Sequence, residues 1–178
     1  GMINSRQDNS LEAIKYLERT IEINPEDTIA RFYLAYEYKR TGRRDEALAE
    51  YQKVVEQAPD YSWAYFNMAS IYWEEEDVVN AIENLDKTVD LNPHDTKAFE
   101  LFIKILMKTN TDQGALAVAK KALQENPDCG DLFYTTAQVY KKLKDKKNYT
   151  EYLKSAILNQ SSLSIPVKEV RQELNTIK

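Results

Sequence analysis

Apolar residues recur along this chain at the spacing of amphipathic helices. Between successive prolines they return every three or four positions, and no stretch alternates with the period of two that marks a half-buried strand. Two helical stretches lie between each pair of prolines, and the pattern breaks near four residues, Gly42, Glu76, Asn110 and Lys144. The sequence therefore predicts an all-α protein of about ten helices joined by tight turns.

The whole arrangement returns every 34 residues. This interval separates the prolines Pro25, Pro59, Pro93 and Pro127, and it also separates the alanines Ala13, Ala47, Ala81 and Ala115. A fixed period in this range is typical of stacked repeats, each holding a helix A and a helix B. We predict four full repeats with a half repeat at each end. Their ranges are 28–61, 62–95, 96–129 and 130–163, with a helix B in 10–27 and a capping helix in 164–178.

The residues within each repeat resemble the tetratricopeptide repeat over nearly the whole chain. Bulky residues hold repeat positions 4, 7 and 11, as in Tyr65, Met68 and Tyr72, and a small residue such as Ala69 holds position 8. Alanine at position 20 and proline at position 32 complete the resemblance, which implies an alpha-alpha superhelix, or solenoid, forming a single domain over 2–178. Gly1 has the look of an expression scar. Four residues depart from the family pattern: Arg31, Ile103, Tyr149 and Ser161.

Helix ends and crossings follow from the same pattern. Alanines allow two helices of a hairpin to approach closely, and the proline after helix B stops it. Hydroxyl and carboxylate side chains beside the helix starts are expected to cap the free backbone amides. The expected caps are Thr28, Ser62, Thr96 and Asp131. Val167, Val170 and Leu174 are expected to form the apolar face of the last helix, which Pro166 begins.

Helix A carries a second face, formed by repeat positions 2, 5, 9, 12 and 13, which points away from the hairpin. Hairpin packing does not require aromatic residues there, yet the first two repeats supply five, and the later repeats supply mainly lysines. We predict a concave groove that binds a peptide with apolar anchors and acidic groups. The candidate residues are Phe32, Tyr36, Lys39, Arg40, Trp63, Phe66, Trp73, Lys97, Lys104, Lys108, Tyr134 and Lys141. The alternative is that the rings merely pack on neighbouring helices.

A carboxylate clamp known in chaperone-binding relatives is not predicted. The family's five clamp positions fall here on Phe32, Tyr36, Asn67, Lys97 and Leu101, and only Asn67 and Lys97 match. A different mode of peptide binding is therefore expected.

Composition narrows the function further. The net charge of −5 disfavours nucleic acid as a partner, although five lysines in residues 141–147 keep RNA binding as an alternative. One histidine, His94, and one cysteine, Cys129, offer no catalytic or metal-binding set, so we expect no enzyme activity, no cofactor and no metal. No apolar run suits a membrane span, and no secretory signal opens the chain, so a cytoplasmic location is expected.

The sequence thus predicts a non-enzymatic adaptor or scaffold that binds a protein segment in its groove. A second hypothesis is a structural protein that forms homodimers or larger oligomers through the N-terminal half repeat. Its basis is the apolar face of Ile14, Leu17 and Ile21, for which no partner helix is evident.

Overall fold

The computed structural model describes the backbone of residues 2–177 and the side chains of residues 9–177. Within this range the chain forms ten α-helices, one 3-10 turn and no strand, which confirms the predicted fold class. The helices are α1 (Met2–Ile23), α2 (Thr28–Arg40), α3 (Arg44–Gln57), α4 (Ser62–Glu74), α5 (Val78–Leu91), α6 (Thr96–Lys108), α7 (Asp112–Glu125), α8 (Gly130–Lys142), α9 (Lys146–Leu158) and α10 (Val167–Asn175). They fall into two compact units, an N-terminal unit ending at Leu91 and a C-terminal unit beginning at Asn92.

The turns inside the four hairpins have one backbone conformation. Gly42, Glu76, Asn110 and Lys144 have φ values of 81°, 62°, 59° and 60°, in the left-handed region. The amide that follows each of them donates to a carbonyl five residues earlier, as Asp77 N does to the carbonyl of residue 72 at 2.9 Å. This is the Schellman ending of a helix, which satisfies carbonyls that the helix leaves free. The four residues at which the sequence pattern breaks are therefore the residues with positive φ.

The predicted helix caps are wrong by one residue where a side chain does cap. The carboxylate of Asp27 accepts a hydrogen bond from Ala30 N at 2.9 Å, and that of Asp95 accepts one from Ala98 N at 3.0 Å. An N-cap residue lies just outside the helix, so its carboxylate can reach the third amide beyond it. Thr28 and Thr96 are instead the first helical residues, and the N-cap residues of α4 and α8 make no side-chain capping bond.

The N-terminal unit, α1 to α5, buries one apolar core. Tyr51, Ile71 and Leu85 are fully buried. The alanines Ala35, Ala47, Ala69 and Ala81 are also inaccessible, whereas Ala13 of α1 is half-buried. Helix α1 begins at Met2, eight residues before the predicted start of its apolar pattern. The premise of the self-association hypothesis is wrong, because Ile14 is only 3% exposed and Leu17 and Ile21 pack against this core.

Arg31 departs from the family pattern because it has charged and polar partners. Its guanidinium donates to Glu50 at 2.7 Å and to the carbonyl of Pro25 at 2.6 Å. Both side chains of the ion pair are largely buried. A buried charge is tolerated when it is paired and hydrogen-bonded, as Arg31 is here.

The C-terminal unit, α6 to α10, buries Phe99, Ile105, Leu132 and Leu153. Ile103, which replaces the usual small residue, is fully buried. The extra volume of Ile103 is offset within the same hairpin, because the partner helix α7 buries only alanines. A bulky residue is accommodated where the neighbouring side chains are small.

The last repeat ends differently from the others. Ser161, in place of proline, lies in a 3-10 turn spanning Gln160–Ser162, and this turn passes close to the start of α8. A Cβ atom built on Gly130 would come within 2.4 Å of the carbonyl oxygen of Asn159. The glycine therefore permits a close approach of two backbone segments.

Candidate protein-binding surfaces

A cleft lined by aromatic side chains opens on the N-terminal unit, with a volume of about 420 Å³. We call it the aromatic cleft. Its lining residues are Phe32, Tyr33, Tyr36, Tyr61, Trp63, Phe66 and Asn67. Four of the predicted groove residues, from two different helices, therefore lie together, because α2 and α4 each present their second face to the same cleft.

The rings of the cleft divide into buried and exposed ones. Phe32 packs on the core, with ring centroids 5.6 Å from Tyr51 and 5.1 Å from Tyr61. Tyr36 and Trp63, by contrast, remain 41% and 55% exposed. The aromatic face is therefore packed on the core in one part and open to solvent in another, and ligand binding there stays a prediction. Phe32 stabilises the fold, and the exposed rings offer apolar area to a ligand.

Polar groups lie along the edge of the cleft. Lys39 Nζ donates to Asn67 Oδ1 at 3.1 Å, and Asn67 Nδ2 donates in turn to the carbonyl of Trp63 at 2.8 Å. Burial lowers the pKa of Lys39, although the charge of Glu74 opposes this shift. A partly desolvated ammonium beside aromatic rings can attract an acidic group of a ligand more strongly than one in water can.

The other predicted residues of the N-terminal unit lie outside the cleft lining. Arg40 forms an ion pair with Glu37 at 2.8 Å. Trp73 is half-buried near the C-terminal end of α4. Trp73 is therefore less open to a ligand than Tyr36 and Trp63 are, whereas the Arg40 side chain remains exposed.

The sequence prediction of the groove missed three of the lining residues, Tyr33, Tyr61 and Asn67. Tyr33 is 54% exposed at repeat position 6, just outside the face that was considered. Tyr61 precedes α4 and therefore lies outside the helical positions that define the second face. The available signal was the density of aromatic residues itself, since tyrosine follows Phe32 and also comes two residues before Trp63.

The predicted lysines of α6 differ in their surroundings. Lys97 Nζ lies 3.2 Å from the Glu100 carboxylate and 3.7 Å from that of Asp131. The hydrogen bond to Glu100 raises the pKa of Lys97, and burial raises the pKa of Glu100. Lys104 and Lys108 are exposed. Lys97 is thus largely neutralised by its own neighbours.

In the C-terminal unit, four side chains converge on one carboxylate. Glu173 of α10 accepts hydrogen bonds from Tyr134 at 3.1 Å, Lys141 at 2.7 Å, Tyr149 at 2.5 Å and Gln138 at 3.2 Å. We call these donors the Glu173 cradle. Two predicted groove residues, Tyr134 and Lys141, therefore bind the chain's own last helix.

The protonation of the cradle follows from its geometry. Burial acts to raise the pKa of Glu173, but the hydrogen bonds from Lys141, Tyr149 and Gln138 outweigh it and hold that pKa below its ordinary value. Burial and the bond to Glu173 raise the pKa of Tyr149 to about 12. The carboxylate is therefore ionised and the phenol protonated at neutral pH, as their hydrogen bond requires.

The residues considered for chemistry are dispersed. His94 is exposed in the turn before α6, and Cys129 is half-buried before α8. Over the described residues, no three histidine, cysteine or acidic side chains are grouped as a metal site would need. None of the helices in that same part of the chain is long and apolar enough to cross a membrane.

The repeated helical hairpins, joined by turns of one conformation, place this chain among the helical repeat proteins. Models of the TPR repeat and of the tetratricopeptide repeat match residues 35–76 and 64–95, respectively. These matches over 35–95 support the predicted resemblance to the tetratricopeptide repeat family. The fold of this family generally serves as a scaffold for protein–protein interaction.

Solved structures share this fold at low sequence identity. MamA from Desulfovibrio magneticus is 16% identical, with a TM-score of 0.71 and 90% of each chain covered. PilF of Pseudomonas aeruginosa is 17% identical, with a TM-score of 0.72, and the match covers 99% of this chain and 85% of that one. At such identities the likeness concerns the fold alone.

One curated relative is a mouse protein called Protein O-mannosyl-transferase TMTC3. The match is 26% identical over an alignment of 152 residues and covers 77% of this chain. The match spans only 16% of the length of that relative.

Proposed function

We propose that this protein is a non-enzymatic adaptor that binds a segment of another protein in the aromatic cleft. The observation that carries the proposal is the exposure of Tyr33, Tyr36 and Trp63 around one cleft of the N-terminal unit. Large exposed rings on a rigid helical scaffold supply contact area at low entropic cost. The scaffold role general to the fold supports the same conclusion.

The chemistry of the cleft favours a ligand with apolar anchors and an acidic group. The anchors would lie against Tyr36 and Trp63, and the acidic group would lie near Lys39. Two other predicted lysines, Lys97 and Lys141, already contact carboxylates of this chain. A cytoplasmic location remains a prediction from the sequence.

The two alternative functions have less support. Self-association has lost the apolar face on which it was based, since Ile14 is buried in the core. RNA binding would rely on the lysines of residues 141–147, and one of them, Lys142, already forms an ion pair with Asp112 at 2.8 Å. Neither alternative has an observation that favours it over the cleft.

The test removes exposed rings and measures binding. A peptide selected from a displayed random library against the intact protein would serve as the probe, with its affinity measured by fluorescence anisotropy. We expect Trp63→Ala to weaken binding by about 2 kcal/mol, the size of an interface hot spot, with little loss of stability. Tyr36→Ala should act in the same direction.

The matched control is Tyr16→Ala. Tyr16 is also an exposed aromatic residue of the N-terminal unit, but it lies on α1 outside the cleft. It should leave the affinity unchanged. Equal weakening by Trp63→Ala and Tyr16→Ala, or none by either cleft variant, would reject the aromatic cleft as the binding site.

A further inference from the structure

We propose that the Glu173 cradle is a binding site for a carboxylate on an amphipathic helix, which α10 occupies within this chain and which an acidic helix of a partner protein takes over. The site lies in the C-terminal unit and is separate from the aromatic cleft. The proposal assigns α10 the role of an intramolecular competitor.

The cradle satisfies both oxygens of the carboxylate. Glu173 Oε1 accepts from Lys141, Tyr149 and Gln138, and Oε2 accepts from Tyr134. One cationic and three neutral donors thus surround a single acid, three of them from α8 and one from α9. Hydrogen bonds to an ionised group are the strong ones in water-accessible sites. A helix that merely covers an apolar core does not need such a set of donors.

The cradle occupies the face of helix A that the repeat leaves free for ligands. Tyr134, Gln138 and Lys141 are at repeat positions 5, 9 and 12 of α8. The same positions of α2 are Phe32, Tyr36 and Lys39, which line or border the aromatic cleft. The second face of α8 is therefore a ligand surface already engaged by an acidic helix.

The attachment of α10 is suited to release. The helix has nine residues, and Val170 is its single buried side chain by relative exposure. Helices this short are marginal in water without tertiary contacts. Its stability therefore depends on two kinds of contact: the apolar packing of Val170, Leu174 and the following Ile177, and the hydrogen bonds of the cradle.

The segment before α10 is fixed by contacts of its own. Gly130 N donates to Ser162 Oγ at 2.8 Å, and Ser164 Oγ donates to Asp131 Oδ1 at 2.9 Å. Neither contact involves α10. The helix can consequently detach beyond Pro166 while the preceding turn stays on α8.

The occupant itself defines the chemistry of the partner. On α10 the apolar Val170 is followed by Glu173 three residues later and by Leu174 four residues later, so all three lie on one face. The partner segment should be a helix with an apolar residue, a glutamate and a second apolar residue at this spacing. A carboxylate without the apolar neighbours would lose the contacts that Val170 makes in the core.

The experiment uses a fluorescent synthetic peptide with the sequence of residues 166–178 as the probe. The receptors are the intact chain and a full-length variant, Val170→Ser with Glu173→Lys, in which α10 is weakened at both of its contacts. We expect the variant to bind the probe at least about tenfold more tightly than the unmodified chain, because its cradle is vacated. A probe with glutamine in place of Glu173 should bind the variant about tenfold more weakly.

A second variant tests the donors. Adding Tyr149→Phe to the weakened receptor should reduce probe affinity, whereas adding Tyr16→Phe, which removes an exposed hydroxyl of α1, should not. Equal affinity of both receptors for the probe, or equal binding of the glutamate and glutamine probes, would overturn the proposal. Dimers formed by exchange of α10 between copies would overturn the assignment to a partner protein.

Hydrogen exchange on the unmodified chain covers the case in which the weakened variant fails to fold. Excess probe should accelerate exchange of the α10 amides and leave those of residues 160–164 unchanged. Unchanged exchange in α10 at saturating probe would overturn the proposal by itself.

Discussion

The same face of helix A is used differently in the two units. In the N-terminal unit it carries aromatic rings, and Tyr36 and Trp63 remain open around a cleft. In the C-terminal unit the corresponding face of α8 carries Tyr134 and Lys141, which hold Glu173. One repeat pattern thus yields an open apolar surface and an occupied polar one.

The difference shows that the hairpin core and the ligand face vary independently. Most core positions carry bulky residues or alanines in both units because close packing restricts them, and Arg31, Ile103 and Tyr149 are the departures. Positions 5, 9 and 12 do not share that restriction and change from aromatic to polar. Substitutions at equivalent repeat positions of the two units test whether the cores are alike and the other positions differ.

The largest expected effect comes from repeat position 24, where the units should be equal. Leu85 and Leu153 are both fully buried. Leu85→Ala and Leu153→Ala should each lower the free energy of unfolding by about 2–5 kcal/mol, because each leaves a cavity in a closed core. Urea denaturation followed by circular dichroism measures this. A loss below about 1 kcal/mol for either would contradict the equivalence of the two cores.

An intermediate effect is expected at repeat position 1, where the units should differ. Gly130→Ala should cost about 1–3 kcal/mol by forcing the carbonyl of Asn159 and the side chain of Leu163 to move. Ser62→Ala, the matched control in the N-terminal unit, should change stability by less than about 0.5 kcal/mol. Thermal melting of both variants tests this, and equal costs would remove the special role given to the glycine.

The smallest effect concerns the pH dependence of α10. Because the folded pKa of Glu173 lies below its ordinary value of 4.5, its stabilisation of α10 is complete above that pH and is lost as the pH falls through the folded pKa. Amide exchange in α10 should therefore quicken on acidification relative to α4, after correction for the intrinsic rate. Glu173→Gln should abolish most of this dependence. An unchanged pH profile in that variant would mean that other carboxylates control the attachment.

The fold was predictable because proline, alanine and helical spacing repeat at one interval. The turn residues could be identified for the same reason, although only the structure shows that Glu76 and Lys144 adopt positive φ. Helix caps were misplaced by one residue, since Asp27 and Thr28 are both good capping residues and the sequence does not show which one is helical. The start of α1 was missed because residues 2–9 lack the apolar pattern on which the prediction depended.

The candidate sites were predictable only in part. The aromatic face of α2 and α4 follows from the repeat positions, but the contribution of Tyr61 depends on how the turn before α4 folds. The pairing of Lys141 with Glu173 joins residues far apart in sequence, and no spacing rule connects them. Tyr149 looked like a departure from alanine, and its hydrogen bond to Glu173 supplies the reason.

The left-handed residues of the hairpin turns have a consequence for engineering. All four are exposed, and they are chemically different: a glycine, an acid, an amide and a base. These turns therefore require a positive φ and accept very different side chains. A substitution at one of the four positions should act mainly through how readily the new residue adopts that conformation.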